Sequence, residues 1–182
     1  MILFVLFDLG EIPRYKTKPD LKDTEYVLGK YCEIMLRNQK YDFKKDEFIN
    51  DLKTFCEEKL IDLEIEVVFE ILTNNNIIVP IFDRYRFKST FWIYYFGAKR
   101  MHTDKSFRDF IFSSKKYSAF PEIIEFYTGI DRNRDDALEI LLKDIRETKF
   151  QVQEKLGIQG EINPLSNAKW KPKENEIERL QE

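Results

Sequence analysis

One histidine, two cysteines, a serine ahead of an aromatic run and a few acidic pairs are the side chains whose types could do chemistry. His102 stands alone, so no histidine cluster can form and a Ser-His-Asp relay would rest on one unpartnered residue. At the end of an aromatic helix it is expected to serve the last carbonyls. Cys32 and Cys56 are isolated, lack CxxC spacing and have no local base. They read as reduced thiols of a cytoplasmic protein, packed as small apolar groups. Asp131, Asn133 and Asp135 copy the opening of a calcium loop, but Asp136 occupies the sharp-turn glycine position and Leu142 the bidentate glutamate position. Acids near the positive dipole end of a helix account for them better. Glu57-Glu58 and Asp135-Asp136 are adjacent in sequence and point differently on a helix, as solvated charges do. Gly29-Lys30 is followed by Tyr31 and has no glycine five residues earlier, so the sequence holds no G-x-x-x-x-G-K-[ST] phosphate cradle. The expectation is a chain with no catalytic residue, metal or cofactor of its own.

The elements that must position these residues are mostly helices. Sixteen Phe and nine Tyr against six Gly and six Pro favour helix over a many-turned β fold. With 182 residues the chain suffices for one domain, or for a small domain with a helical extension. The formal net charge of −3 gives no global case for nucleic acid or an anionic membrane. The apolar run in residues 1–9, MILFVLFDL, is too short to span a bilayer and has neither a basic leader nor a small-residue cleavage site. Such a segment needs partners, and it reads as an element cut from something larger.

Gly10, Pro13 and Pro19 mark a loop. Asp20 or Asp23 can cap a helix over 21–37, with Tyr26, Leu28, Tyr31, Cys32, Met35 and Leu36 on its apolar stripe. A second loop covers 38–43. Phe48, Leu52, Phe55 and Cys56 define one face of a helix over 44–59, and Ile65, Val68, Phe69 and Leu72 another over 62–73, stopped by three asparagines. Two apolar runs, 77–82 and 85–87, flank Asp83-Arg84 as the turn of a small hairpin wing. Ser89 or Thr90 can then cap a helix so rich in aromatics that it is expected to be buried on most sides. Asp104 caps a short helix through Phe112, SSKKYS is a loop, and Pro121 opens a helix that Gly129 should end. Asn133 is expected to cap the longest helix, whose apolar side is Leu138, Leu141, Leu142, Ile145, Val152 and Leu156. Residues from Gly160 on look extended or weakly ordered.

The stretch FKSTFWIYYFGA resembles the winged helix that follows the nucleotide-binding core in STAND-class P-loop NTPases, the NACHT-type group in particular. There an aromatic residue precedes a helix of the form F-x-H-x-x-[FW]-x-E-[YF]-F-A-A, and Phe87, Trp92, Tyr95, Phe96 and Ala98 match it. The downstream FPEIIEFYTGIDRNRDDALEILLKDI and NPLSNAKWKP also look like the segment after that module in large bacterial STAND proteins, many implicated in antiphage defence. The resemblance runs from about residue 44 to 172, and more weakly from residue 1. It implies a module that packs on the nucleotide-binding core and relays the state of a sensor. The family's phosphate-reaching histidine falls on Ser89 and its glutamate on Tyr94, so any contact to the phosphates of ATP or ADP, held by a separate core, would be through the Ser89 hydroxyl.

The expected fold is mainly α with a small β-hairpin wing. Residues 1–43 form an N-terminal apolar segment and helix, 44–102 a winged-helix-like domain, 103–159 a helical extension and 160–182 a tail. The expected partner is a STAND NTPase core, in the cytoplasm and away from membranes. Two alternatives stand beside it: a free-standing winged-helix nucleic-acid binder and a bare protein-interaction module. Nucleic acid would have to meet the wing cations Arg84, Arg86 and Lys88, with Lys99 and Arg100 close in sequence. The helix placed to read a groove, DLEIEVVFEILT, carries four acids and no base, and phosphates would repel it.

Overall fold

The structure, a computed structural model, describes residues 19–157. The apolar opening, the loop at Gly10 and Pro13, and the tail from Gly160 lie outside the described residues. Helix α1 (Leu21–Asn38) starts where the Asp20 carboxylate accepts from the amides of Lys22 and Asp23 at 2.8 and 2.9 Å. It ends at Gln39, which takes a left-handed conformation. Residues 38–43 are more than a loop, because they contain the short strand β1 (Asp42–Phe43). Two residues carry no periodicity, so only the pairing partner reveals the strand. Helices α2 (Lys45–Lys59) and α3 (Ile65–Asn74) follow, the latter starting three residues later than expected after a left-handed Leu60. Of the three asparagines, it is Asn76 that adopts the positive φ that lets the chain reverse.

Strands β2 (Ile78–Ile81) and β3 (Arg84–Phe87) form the hairpin, and β1 adds to the free side of β3, giving an antiparallel sheet of order β1-β3-β2. The turn is Phe82-Asp83 and not Asp83-Arg84. Arg84 pairs with Ile81 in the ladder, and its guanidinium bonds Asp42 at 2.9 Å and Glu47 at 3.2 Å. Those contacts fix the register and push the left-handed backbone onto Phe82, at φ 55° with its side chain fully exposed. A left-handed bulky residue costs about 1–2 kcal/mol.

Ser89 caps α4 (Thr90–Thr103), and Asp104 caps α5 (Lys105–Phe112) by accepting from the Phe107 amide at 2.9 Å. SSKKYS belongs to a 3-10 segment (Ser113–Ala119), interrupted by left-handed Ser114 and Lys115. Helix α6 (Pro121–Ile130) runs one residue past Gly129, since a glycine inside a helix costs only about 0.5–1 kcal/mol and does not by itself end it. Helix α7 (Asp135–Leu156) begins two residues beyond Asn133. The turn before it is held by Asp131, whose carboxylate accepts from the Asn133 amide at 3.0 Å.

Helix α4 is the central strut, with α1 packed along one side and α6 along another. Close packing is possible because Gly29 on α1 lies against the Phe96 carbonyl and the Arg100 Cβ, and Gly97 on α4 lies against Ile123 and Leu36. Under the sheet, Tyr31, Phe43, Phe48, Phe69 and Tyr85 form a chain of aromatic contacts with centroids 4.6–5.5 Å apart. The fold class is therefore mainly α with a small β wing, as expected.

The chain divides into two compact units, with the boundary between Leu141 and Leu142. In the first, Ala137 is buried and Ile140 and Leu141 pack against the core. In the second, residues 142–157 are helical almost to their end, and Leu142, Ile145, Val152 and Leu156 are exposed. The apolar side anticipated for α7 exists as a pattern but is largely uncovered among the described residues.

Candidate interaction surface

The residues matched to the aromatic motif are divided between core and surface. Phe87, Phe96 and Ala98 are buried, whereas Trp92 and Tyr95 are half-buried and Phe91 is 36% exposed. Helix α4 is thus covered on less of its circumference than its composition suggests. Phe91 stacks with Tyr95 at 6.1 Å and meets Phe126 of α6 edge-on at 5.0 Å, a partly exposed aromatic face. Tyr95 is fixed from the other end, its hydroxyl donating to Glu25 at 3.1 Å. Burial and the Glu25 charge push that hydroxyl up to about 12. Ser89 Oγ accepts from the Phe91 amide at 3.2 Å, so its hydroxyl oxygen serves the helix start.

The five cations grouped around the wing by sequence are not one group. Arg84 is spent on Asp42 and Glu47, and Lys99 pairs with Glu25 at 3.2 Å. Arg100 is 5% exposed, its Nε donating to Glu33 at 2.9 Å and its Nη2 to Asp104 at 2.6 Å. Its guanidinium also lies over the rings of Tyr26 and Phe55, at 5.3 and 5.5 Å. Glu33, 4% exposed, additionally receives Lys30 at 3.2 Å and Arg37 at 2.9 Å. Sequence reasoning missed this buried network. The available signal was a glutamate inside the apolar face of α1, between Cys32 and Met35.

Arg86 and Lys88 remain exposed, with no ion pair among the described residues. Helix α3, the element that would have to enter a groove, buries Ile65, Val67, Val68, Phe69, Ile71 and Leu72 and turns Glu66 and Glu70 outward. Glu66 is bonded to Lys53. Its exposed side repels phosphate.

His102 does not serve the carbonyls of its helix; the Thr103 hydroxyl donates to the Arg100 carbonyl instead. The imidazole lies over Tyr127, ring centroids 4.5 Å apart, and its Nδ1 accepts from Arg134 Nε at 3.1 Å. Arg134 also pairs with Asp131 at 3.1 Å, and Tyr127 donates its hydroxyl to Asp136 at 2.9 Å. The Asp131, Asn133, Asp135 stretch therefore serves the turn into α7, and Asp136 is bonded rather than merely solvated. No group of three or more His, Cys, Asp or Glu among the described residues could hold a metal ion. Cys32 and Cys56 are buried, and burial raises both thiols away from the reactive thiolate.

Burial and the Arg134 guanidinium hold His102 below the usual histidine range, against the smaller opposing pull of Asp131 and the Tyr127 carbonyl. A depressed imidazole binds its proton more readily in the unfolded chain. Stability is accordingly expected to be full above the unfolded value, about 6.5, and to fall as pH drops through it toward the folded value. Urea midpoints measured between about pH 7.5 and 5.5 should decline, and His102→Gln should flatten the decline, since no other histidine is present. An unchanged slope in the variant would place the titrating group elsewhere.

These side chains define a class before any relative is considered: a mainly helical module with a small antiparallel sheet, its polar groups largely committed to caps and ion pairs. Residues 41–97 match the family model described as novel STAND NTPase 4. The match runs from β1 through the first half of α4, and it supports a STAND-type origin for that segment. It includes Phe87, Trp92, Tyr95 and Phe96 and stops one residue short of Ala98. No curated protein and no solved structure matches the chain. No helix among the described residues is long and apolar enough to cross a membrane.

Proposed function

We propose that this chain is a non-catalytic regulatory module of a STAND-type signalling NTPase, packing on a nucleotide-binding core and relaying the state of a sensor. The observation that carries the reading is the family match over 41–97, which takes in all three strands of the wing together with α2 and α3. The order helix, strand, helix, helix, hairpin is that of a winged helix and supports the same assignment. Phe82 at the wing tip adds to it. A fully exposed aromatic held in a left-handed turn does nothing for the folded chain and suits burial in a partner. ATP or ADP would enter only through the core, with Ser89 as the nearest candidate for phosphate contact. The cytoplasm is the fitting compartment for the two buried thiols. Regulation on this reading is a difference in packing between two states of the assembly, and bacterial antiphage defence is the setting the downstream resemblance favours.

The test is to mix the chain with the purified nucleotide-binding core of a novel STAND NTPase 4 family member. Association should be visible by gel filtration and calorimetry and should slow nucleotide turnover by the core, and Phe82→Asp should weaken it. Absence of association together with unchanged turnover would overturn the proposal.

A further inference from the structure

Between the C-terminal turn of α1, β1 and α2 lies a cavity of about 140 Å³ that the regulatory reading does not use. Its apolar lining is the partly buried Ile34 together with Tyr31, Met35 and Phe43, the last three each no more than 3% exposed. Three carboxylates, Asp42, Glu47 and Asp51, line it as well, against one cation, Lys40. Two of the carboxylates are occupied. Asp42 and Glu47 share Arg84, and Glu47 also accepts from the Lys44 amide at 3.0 Å and from Lys40 at 3.3 Å. Asp51 has no ion pair or hydrogen bond among the described residues, and burial and the Glu47 charge raise its carboxyl.

The second observation is independent of the acids. Tyr31 is 97% buried by its 3% exposure, clamped edge-on by Phe43 at 5.1 Å and by Phe48 at 4.6 Å. Its hydroxyl finds no hydrogen-bond partner among the described residues, yet it lies close enough to Asp51 and Glu47 for both charges to raise it. Tyr31 lines the cavity, and its hydroxyl oxygen is free to accept from a donor arriving there. The cavity also adjoins the last turn of α1, where exposed carbonyls make the local field negative. Acidic rim, helix C-terminus and unpartnered phenol all ask for a cation. Small-molecule pockets run to about 300–1,000 Å³, so this cavity is too small for a nucleotide and suits one extended side chain. Single acceptors contributed by two helices, Tyr31 on α1 and Asp51 on α2, suit the three donors of an ammonium better than the planar fork of a guanidinium.

We propose that this cavity binds a primary alkylammonium group, the end of a lysine side chain presented by a partner protein. The methylenes lie against Phe43, Met35 and the Tyr31 ring, and the ammonium donates to the Asp51 carboxylate and the Tyr31 hydroxyl. Lys40 is the built-in competitor. Its ammonium bonds Glu47 and its side chain is 53% exposed, so it stands at the rim without filling the space. The site stands or falls apart from the STAND reading, because it uses only residues of this chain.

The test is a nitrogen-edited NMR titration of the whole chain with three probes: N-acetyl-lysine N-methylamide, n-butylammonium and neutral n-butanol. The lysine derivative should give saturable shifts at the amides of Tyr31, Asn38 and Asp51, binding more tightly than n-butylammonium, with n-butanol silent. Asp51→Asn should weaken binding about tenfold and Tyr31→Phe about threefold, while Lys40→Met should strengthen it about threefold. Equal shifts from n-butanol, or an affinity unchanged in Asp51→Asn, would overturn the site. Equal affinity for n-butylammonium and the lysine derivative would overturn the partner lysine in favour of a free amine.

Discussion

Arg100→Ala is expected to lower the unfolding free energy by about 3 kcal/mol, the lower end of the 3–5 kcal/mol typical of breaking a buried ion pair. The loss is large because Glu33 is 4% exposed and cannot recover its hydration when the guanidinium leaves. It stays at the lower end because Lys30 and Arg37 still reach the same carboxylate, at 3.2 and 2.9 Å. Those two side chains are 28% and 33% exposed, so water screens them more than it screens Arg100. Part of the loss is packing, since the guanidinium covers Tyr26 and Phe55. The paired replacement Glu33→Leu with Arg100→Met is expected to recover most of the stability, because apolar groups of similar volume remove both desolvation penalties together. Urea unfolding of the two single variants and the double variant closes the cycle. A loss under about 1 kcal/mol in Arg100→Ala would mean the pair behaves like a surface salt bridge.

Gly29→Ala should destabilise the chain and Gly97→Ala should leave its stability nearly unchanged, although both replace a glycine inside a helix. Each gains about 1 kcal/mol from the higher helix propensity of alanine. At Gly29 the new methyl would sit 3.1 Å from the Phe96 carbonyl oxygen and 3.3 Å from the Arg100 Cβ. Neither atom can yield unless α1 and α4 separate, which loosens every contact along their seam. A net loss of about 1–3 kcal/mol is expected. At Gly97 the methyl meets the Ile123 Cδ1 at 3.0 Å and the Leu36 Cδ1 at 3.1 Å, the ends of side chains that can rotate. Its cost is correspondingly lower, and the net change should fall within about 0.5 kcal/mol of zero. Thermal melts of the two variants side by side decide it. Equal destabilisation would mean that the Ile123 and Leu36 ends are as immovable as backbone.

What the sequence revealed follows the range over which each feature is determined. Helices α1 to α3 are written in local periodicity, and Asp20, Ser89 and Asp104 act as caps because a cap needs only the next turn. Features set across the chain were not legible. β1 has no pattern of its own, and the hairpin turn moved by one residue because Arg84 answers to Asp42 and Glu47. Arg100 looked like a surface cation beside the wing until α1 brought Glu33 to it from 67 positions away. Helix α7 shows the converse, for its apolar positions were evident while the covering they imply was not. Tyr31 and Asp51 stayed hidden as a pair because their own helices give each an ordinary role; only the meeting of α1, β1 and α2 leaves a space between them.

The order of the wing sheet also bears on how the chain finds its fold. β2 and β3 are joined by a two-residue turn, and such hairpins close within about 1–10 μs. β1 reaches β3 from the far side of α2 and α3, with Asp42 bonded to Arg84 across 42 positions. Closing so long a loop loses entropy that two strand residues cannot offset alone. The third strand is therefore expected to dock only after α2 and α3 have packed. On that expectation, completion of this small sheet belongs to the late part of folding, after the helices, even though its hairpin can close early.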